Sequence, residues 1–313
     1  MKISVIIITR NRCEDVRNTL IGFNRQTYQD KEIIVIDNAS NDGTRAMFAE
    51  EFPEIKYLWL PDNFDIRSIN IGIEMSDGDI IWRTDSDSYP ESEFAFEKVV
   101  EIFRSRPEVH VICSEDIEVL NNSTVWDWYP FPVDKKNIPA DGYPANTFAG
   151  TGAAIRREVY DKVGGFWGFG FEEIEFCTRA ILAGFNVRYF PQIRTLHFSS
   201  PRDRDNSNRW VMISTQYIRY IWKYFPLKTA LGRTVVFYIN QILLSFFSKV
   251  KMSARIEGAL TMLSVIFHTV RNERRAVPKE KIKDITLGVS LYKNIFMSMT
   301  YAMNRKIKKW LKD

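Results

Sequence analysis

The chain has few cysteines. Only Cys13, Cys113 and Cys177 occur among its 313 residues. They are odd in number, widely spaced and without a Cys-x-x-Cys pair, so the sequence offers neither a disulfide framework nor a thiolate zinc motif. We therefore expect a reducing, cytoplasmic setting.

Long apolar stretches are also missing. The first residues hold a short apolar run that ends at Arg10, too brief for the core of a signal peptide. No run reaches the roughly 18 uninterrupted apolar residues of a membrane-spanning helix. The nearest candidate, residues 234–250, is interrupted by Asn and Gln at 240–241 and by two serines. The sequence predicts no transmembrane helix.

Acidic residues are scarce in the last third of the chain. Residues 210–313 hold 19 Lys and Arg against 5 Asp and Glu, whereas residues 1–209 hold 24 against 34. Such asymmetry is typical of a basic segment that meets a polyanion. We therefore predict a domain at 1–209, with halves at about 1–90 and 91–209, and a separate basic helical region at 210–313.

Continuous apolar, β-branched runs indicate buried parallel strands. They occur at residues 3–8 and 32–37, and a helical pattern lies between them. A third strand is expected at 55–60, a helix around 67–75 and a fourth strand at 80–83. This alternation predicts an α/β fold with a mostly parallel, doubly wound sheet.

Polar residues follow these strands directly. Ligands of such sheets bind at the carboxyl ends of the strands, so residues 9–11, 37–38 and 85–87 are expected to converge on one crevice. An irregular, aromatic-rich stretch at 121–148 is interpreted as a long functional loop.

Asp85 and Asp87 form an Asp-x-Asp pair. Alternate side chains of an extended strand share a face, so both carboxylates could hold one hard divalent cation together with phosphate oxygens. The alternative interpretation is a solvated turn. Pro90, shortly afterwards, is expected to end the strand.

Five segments carry a resemblance to a known family. They are SVIIITRNR, EIIVIDNASNDGT, NIGIEMSDGDIIWRTDSDS, GTGAAIRREVYDKVGGF and FEEIEFCTRAILAGFNVRYFP. In order and spacing they resemble family 2 glycosyltransferases with the GT-A fold, over roughly residues 3–198. The resemblance implies inverting transfer of a sugar from a nucleotide-diphosphate donor to an acceptor hydroxyl, assisted by Mn²⁺ or Mg²⁺.

The resemblance also assigns the donor side of the cleft. The implied set for the donor nucleotide is Thr9, Asn11, Asp37, Asn38, Arg67, Asp85 and Ser86. Family members usually have Asp-Asp where this chain has Asp37-Asn38, although an amide can also bond a pyrimidine edge. Two alternatives stay open: Asn38 and Ser40 could cap the next helix, and Arg67 could be an ordinary surface arginine. Asn70 resembles a further position on the nucleotide side.

An acidic cluster is the implied source of the catalytic base. The family reads Glu-Asp-x-Asp where this chain has Glu172-Glu173-Ile174-Glu175. A sugar hydroxyl needs a general base because it is a poor nucleophile until its proton is taken. We predict Glu173 as the base and Glu172 as the second choice, and expect Glu175 to cap the helix or pair with Arg179. A solvated acidic helix start is the alternative.

The remaining implied positions concern the metal and the acceptor. The predicted metal ligands are Asp85, Asp87 and His197, because a neutral imidazole is a competent third ligand; a purely structural histidine is the alternative. The predicted acceptor or sugar site comprises Gly150, Thr151, Gly152, Glu172 and Trp126. The glycines could equally serve tight packing.

Apolar stripes with basic flanks mark the C-terminal region. One runs through Val235, Ile239, Ile242 and Phe246, another through Ile256, Leu260, Leu263 and Phe267, and the last residues are lysine-rich. This pattern predicts peripheral attachment to an anionic, inner membrane face through residues 284–313, with a lipid-linked glycan or surface-polysaccharide precursor as acceptor. Internal packing of the stripes is the alternative.

Two other functions are alternatives to glycosyl transfer. A nucleotidyltransferase usually has a glycine-rich phosphate loop after its first strand, whereas this chain has Thr9-Arg10-Asn11-Arg12. A nucleic-acid binder would use only the basic region, and the acidic character of residues 1–209 opposes it, so we predict no nucleic-acid partner. The sugar, the nucleotide base, the acceptor and the oligomeric state are left open.

Overall fold

The computed structural model describes residues 1–199, 206–245 and 252–288. It separates into two compact units. The first, here called the catalytic unit, comprises Met1–Gly168 and Glu172–Ser200; the second, the helical unit, comprises Phe169–Phe171 and Pro201–Asp313. The division in the chain at Ser200 lies nine residues before the division suggested by charge at 209.

Four parallel strands build the first half of the sheet. They are β1 Ile3–Thr9, β2 Lys31–Asn38, β3 Lys56–Leu60 and β4 Ile80–Asp85, in the spatial order β3-β2-β1-β4. The connecting helices are α1 Cys13–Asn24, α2 Thr44–Glu51 and α3 Ser68–Glu74, with a 3-10 turn at Asp65–Arg67 before α3. The apolar runs that predicted β1 and β2 are buried almost throughout. This half of the sheet confirms the predicted alternation of parallel strands and helices.

The second half of the sheet is mixed. Its strands are β5 Ser88–Pro90, β6 Val111–Glu118, β7 Tyr143–Pro144, β8 Ala153–Arg156 and β9 Val187–His197. The order continues β4-β8-β6-β9-β5, with β7 beside β9; β8 is antiparallel to both neighbours, while β6 and β9 are parallel. The helices are α4 Ala95–Ser105, α5 Arg157–Val163 and α6 Glu172–Leu182, with a 3-10 turn at Val125–Trp128.

The Asp-x-Asp pair spans a strand end and a turn. Asp85 is the last residue of β4, and Ser86 and Asp87 form a turn into β5. The expectation that both aspartates share one face of an extended strand is therefore wrong. The chain turns because Ser88–Pro90 pairs with β9, and the Thr19 hydroxyl fixes the turn by donating to the Ser86 carbonyl at 2.9 Å. Pro90 accordingly ends β5 rather than β4.

In its described residues, the helical unit contains α7 Asn206–Tyr224, α8 Leu227–Ser245, α9 Met252–Asn272 and the short α10 Ile282–Thr286. Pro226 lies at the break between α7 and α8, where its missing N–H interrupts the helical ladder. Ile218, Ile221 and Met262 are buried inside this unit. Arg219 on α7 pairs with Glu273 after α9 through two bonds of 2.8 Å. The rings of Phe171 and Tyr217 lie 5.1 Å apart, which places the tripeptide Phe169–Phe171 in this unit.

Both predicted stripes of the helical unit face solvent where they are described. Their described members and two further leucines are each at least half exposed, and the exposed fraction of Phe267 is 77%. These side chains are Leu227, Leu231, Val235 and Ile239 on α8, and Ile256, Leu260, Leu263 and Phe267 on α9. Each of these described side chains therefore leaves at least half of its surface in contact with solvent. Among the described helices, none is long and apolar enough to cross a membrane. Phe246 and residues 289–313, which contain most of the predicted membrane-binding segment, lie outside the described residues, as does the side chain of Ile242.

Candidate functional site

The carboxyl ends of β1, β2 and β4 meet, as the sheet order requires. Thr9 is in register with Asp37, and Asp85 is in register with Ile8. Thr9 and Asp37 are buried, and the Thr9 hydroxyl has no hydrogen-bond partner among the described residues. A buried hydroxyl without a partner is costly in a folded protein. Thr9 therefore has bonding capacity left for a ligand.

Asp37 and Asn11 organise the loop that follows β2. The Asp37 carboxylate accepts bonds from the Ser40 amide and the Tyr57 hydroxyl. Asn11 adopts a left-handed backbone conformation at φ 51°. Its main-chain N–H donates to the Ser40 hydroxyl at 2.8 Å, and its side-chain Oδ1 accepts from the main-chain N–H of Asn41 at 2.9 Å. The loop is thus fixed before any ligand arrives.

Asn38 is used by the protein itself. Its amide group donates to the Ser68 hydroxyl at 2.9 Å and the Asp65 carbonyl at 3.2 Å, and accepts from the Phe64 amide at 3.1 Å. Helix α2 has Gly43 at its N-cap and no side-chain cap, so the alternative that Asn38 and Ser40 cap it is wrong. Asn38 instead anchors the segment before α3.

Two further donor-side candidates differ in their surroundings. Arg67 is exposed and bonds Asp65 in its own turn. Asn70 faces a different partner, because its side chain both donates to and accepts from the main chain of Phe166, at 2.7 and 2.8 Å. Asn70 thus fastens the glycine-rich segment before α6.

Asp87 and His197 approach each other on β5 and β9. Ser88 pairs with His197 across the strands, and the Asp87 Oδ1 to His197 Nε2 distance is 3.5 Å. On the other side of the imidazole, Nδ1 lies 3.5 Å from Glu118 Oε2. Burial alone lowers the pKa of His197, but Asp87, Asp85 and Glu118 outweigh it, so the pKa is raised. Arg12 Nη1 lies 3.5 Å from the second Asp87 oxygen.

Asp85 and Glu173 meet at one guanidinium. Nη2 of Arg83 lies 3.4 Å from Asp85 Oδ1 and 3.8 Å from Glu173 Oε1. Asp85 ends β4 and Glu173 lies in the first turn of α6, so Arg83 brings these two distant parts of the sequence close together. Burial and the neighbouring Asp87 raise the pKa of Asp85, although Arg83 opposes them.

The three glutamates of α6 have different environments. Glu175 is buried and pairs with Arg179 at 2.9 Å, which confirms the predicted pairing, and it also accepts from the Trp167 indole. Glu172 is buried, whereas Glu173 keeps 21% of its side chain exposed. Burial and the charge of Glu172 raise the pKa of Glu173 to about 8. Glu173 is the one of the three that combines access to solvent with a pKa near neutrality.

The predicted acceptor residues have different local environments. Trp126 is buried, stacks on Tyr189 with ring centroids 3.8 Å apart, and donates its indole N–H to the Ser114 carbonyl. A Cβ at Gly152 would lie 2.5 Å from Thr195 Cγ2, so that glycine permits close packing. Thr151 is buried and its hydroxyl has no partner among the described residues.

A cavity of about 500 Å³ lies beside β6 and β9. Part of the aromatic-rich stretch lines it, together with side chains of both strands: Glu115, Ile117, Asn122, Thr124, Asp127, Lys135, Ile138, Pro191, Gln192 and Arg194. None of the predicted acceptor residues is among them.

The described residues contain no cluster of three His, Cys, Asp or Glu side chains that could form a metal cage. Mg²⁺ and similar ions are commonly held by one or two carboxylates together with substrate phosphates rather than by an all-protein cage. His197 lies 3.5 Å from Asp87, and the charge of Asp87 acts on Asp85, so these two carboxylates fit that mode of binding.

Sequence reasoning missed Arg83, Arg12 and Glu118. Arg83 had a visible signal, because it is the single charged residue in the run Ile80-Ile81-Trp82-Arg83. Arg12 and Glu118 gave none, since their proximity to Asp87 and His197 depends on how the strands pair.

Comparison with known proteins identifies related sequences. A family model described as glycosyl transferase family 2 matches residues 4–164, and one described as the N-terminal domain of galactosyltransferase matches residues 139–201. Probable glycosyltransferase YdaM of Bacillus subtilis is 26% identical over 219 residues, covering 61% of this chain and 49% of that protein. An uncharacterized glycosyltransferase of Nostoc is 27% identical over 172 residues, covering 52% and 53%. The chain spans about half the length of these curated relatives.

Solved structures share the fold. The mannosyltransferase PcManGT of Pyrobaculum calidifontis, in complex with GDP-Man and Mn²⁺, superposes with a TM-score of 0.55 at 15% identity, covering 99% of this chain and 82% of that one. TarS of S. aureus superposes with a TM-score of 0.60 at 16% identity, covering 98% and 54%. These likenesses confirm the predicted α/β fold class.

Proposed function

Because the chain belongs to glycosyl transferase family 2, we propose that it moves a sugar from a nucleotide-diphosphate donor to an acceptor hydroxyl with inversion at the sugar carbon. The observation that carries the proposal is the meeting of Asp85 and Glu173 at one guanidinium. It supports a single cleft in which one end handles the leaving diphosphate and the other handles the incoming alcohol.

Glu173 is the base of this reaction. One Glu173 oxygen takes the proton of the acceptor hydroxyl while the hydroxyl oxygen forms its bond to the sugar carbon. The bond from the same carbon to the diphosphate breaks, and its electron pair leaves with the diphosphate. Attack from the face opposite the leaving group inverts the carbon, so no covalent enzyme intermediate is required. The pKa of about 8 places this group near the range in which a base is effective.

Asp85 and Asp87 would hold a divalent cation, with His197 beside them. Such a cation supplies positive charge that stabilises the departing diphosphate. The Mn²⁺ and GDP-Man of the mannosyltransferase support Mn²⁺ or Mg²⁺ as the ion and a nucleotide sugar as the donor. Thr9, whose hydroxyl has no partner in the described part of the chain, would bind the nucleoside together with Asn11 and Asp37. The remaining donor candidates are Asn38, Arg67 and Ser86.

The decisive experiment separates donor binding from transfer. UDP-, dTDP- and GDP-sugars are screened by thermal shift with and without Mn²⁺, because a ligand of the native state raises the melting temperature. One donor should raise it only with Mn²⁺. Glu173→Gln should keep that shift and lose transfer, whereas Glu158→Gln, at an exposed glutamate of α5, should keep both. Full transfer in excess chelator, or full transfer by Glu173→Gln, contradicts the proposal.

We further propose that the helical unit binds an anionic membrane surface, where a lipid-linked acceptor would be found. The exposed apolar residues of α8 and α9 support this, because amphipathic helices bury such faces at the boundary of headgroups and acyl chains. Residues 206–245 contain five Lys and Arg and no Asp or Glu, which favours anionic lipid. The terminal segment 284–313 would add to the attraction.

Flotation of the full chain with liposomes tests the membrane proposal. The chain should float with vesicles of phosphatidylglycerol and phosphatidylcholine, and less with phosphatidylcholine alone. Leu260→Ser combined with Phe267→Ser should reduce flotation. Leu120→Ser is the matched control, since Leu120 is a similarly exposed leucine of the catalytic unit. Equal flotation of all three proteins, or none with anionic vesicles, rejects the proposal.

A further inference from the structure

Arg83 is a buried cation in an apolar strand. Its neighbours Ile80, Ile81 and Trp82 are fully buried, and its own side chain is 2% exposed. Removing an ion from water costs several kcal/mol unless close partners compensate. An apolar residue would serve this strand position better if stability alone decided.

The partners of Arg83 do not satisfy its guanidinium. A guanidinium carries five N–H donors, yet Nε and Nη1 have no hydrogen-bond partner among the described residues. Nη2 lies 3.4 Å from a carboxylate oxygen of Asp85 and 3.8 Å from one of Glu173. Unsatisfied buried donors add a further cost. Stability of the fold thus gives little reason for an arginine at position 83. Its guanidinium instead lies close to Asp85, assigned to the leaving diphosphate, and to Glu173, assigned to the incoming alcohol.

Gly150 makes room for this guanidinium. A Cβ at residue 150 would lie 2.0 Å from Nη1, 3.0 Å from Cζ and 3.1 Å from Nη2 of Arg83, and these are the three nearest atoms. No backbone atom is among them. The absence of a side chain at Gly150 therefore serves the position of Arg83 directly.

We propose that Arg83 is a positioning residue that holds Glu173 in the orientation for taking the acceptor proton, and that it divides its charge between Glu173 and Asp85 until Asp85 acts as a ligand. This inference rests on the proposed function. Once Asp85 is engaged by a cation, its charge no longer holds Arg83, and the guanidinium pairs with Glu173 alone. The base is then oriented when the donor end of the cleft is filled.

Arg83→Met and Arg83→Lys test the positioning role. Arg83→Met should lower kcat by about 100-fold, the scale of a misplaced catalytic group, with little change in the KM for the donor. Arg83→Lys should restore part of kcat. Arg156→Met is the matched control, because Arg156 donates to the carbonyls of Phe103 and Val109 in the same unit; it should lower the melting temperature and spare kcat.

Two further measurements keep the test decisive if Arg83→Met does not fold. Gly150→Ala displaces the guanidinium while leaving both carboxylates intact, and should lower kcat by about tenfold with the donor KM unchanged. The double variant Gly150→Ala, Glu173→Gln should be no slower than Glu173→Gln, because a residue acting through the base adds nothing once the base is gone. Mn²⁺ alone, measured by calorimetry, should bind Gly150→Ala severalfold more tightly, since Arg83 no longer competes for Asp85.

The outcomes distinguish this inference from the function beneath it. If Glu173→Gln abolishes transfer while Gly150→Ala and Arg83→Met keep kcat, the function stands and the positioning role is wrong. Additive losses in the double variant also reject that role. If Glu173→Gln transfers normally, the base assignment itself fails.

Discussion

The two units depart from the usual distribution of side chains in opposite directions. The catalytic unit buries charge: Arg83, Asp87 and Glu172 are almost inaccessible. The helical unit exposes hydrophobic side chains along α8 and α9. Folded proteins normally bury the apolar groups and leave ions in water. Each departure lowers the stability that the unit could otherwise have, and the proposed nucleotide-sugar site and membrane face each give one departure a function.

The largest expected effect tests the buried charge. Asp87→Asn should lower kcat by about 10² to 10³, the scale for losing one electrostatic contact to developing charge, and should weaken the dependence of rate on Mn²⁺. Initial rates across a Mn²⁺ titration measure this. Asp161→Asn, at an exposed aspartate of α5, should behave as the unaltered chain does. An unchanged Mn²⁺ dependence would place the cation elsewhere.

Within the catalytic unit, Glu175 is a buried charge with a structural role. Arg179 donates to Glu175 and also to the carbonyls of Gly164 and Gly165, so Glu175→Gln leaves a partly buried cation with a weaker partner. The free energy of unfolding should fall by about 3 kcal/mol. Urea denaturation measures it. An unchanged free energy of unfolding would contradict the structural role of Glu175.

Glu173 should show the reverse, with a defined pH dependence. Its pKa in the folded chain, about 8, lies above the ordinary glutamate value of 4.5. Protonated Glu173 therefore stabilises the fold fully below the ordinary pKa, and that contribution is lost as pH rises towards 8. Glu173→Gln cannot ionise, so its melting temperature should exceed that of the unaltered chain increasingly from pH 5 to 8 and by a constant margin above. If the melting temperatures of Glu173→Gln and the unaltered chain differ by the same amount at every pH in this range, the pKa of Glu173 is not raised.

The smallest effect is expected where hydrophobic side chains are exposed. Phe267→Ser should change the free energy of unfolding by no more than about 0.5 kcal/mol, because the ring has little contact to lose. Ile221→Ala, in the buried core of α7, should cost about 2–5 kcal/mol. Chemical denaturation compares them. A large loss for Phe267→Ser would mean that α9 packs this face in solution.

Much of the parallel half of the sheet is predictable from local sequence patterns. The apolar runs at β1 and β2 and the helical spacing between them predicted the parallel half of the sheet, and the family resemblance was confirmed. The pairing of Glu175 with Arg179 was predictable because residues four apart meet on a helix. The turn at Ser86 and Asp87 was not, since it depends on the distant pairing of β5 with β9.

Distant pairing also limited what could be said of the site. Arg83 is visible as a charge, but its position near both Asp85 and Glu173 depends on the three-dimensional fold, because Glu173 lies ninety residues later in the chain. Asn70 resembles a nucleotide-side residue, but its bonds to Phe166, almost a hundred positions later in the chain, gave no signal in the sequence. The assignments of Thr9, Asp85, Asp87, His197 and Glu173 to donor, metal and base stay predictions.

The tripeptide Phe169–Phe171 has a practical consequence. It precedes Glu172 directly, yet it belongs to the helical unit, where Phe171 lies beside Tyr217 and Tyr220 and the Arg209 guanidinium lies over Phe169. The polypeptide therefore crosses between the units at three places rather than one. A gene shortened after Ser200 would encode every residue of the proposed reaction. The fragment would still leave Phe169 and Phe171 without the α7 side chains that they contact. Loss of activity in such a fragment would report that damage, and says nothing about lipid.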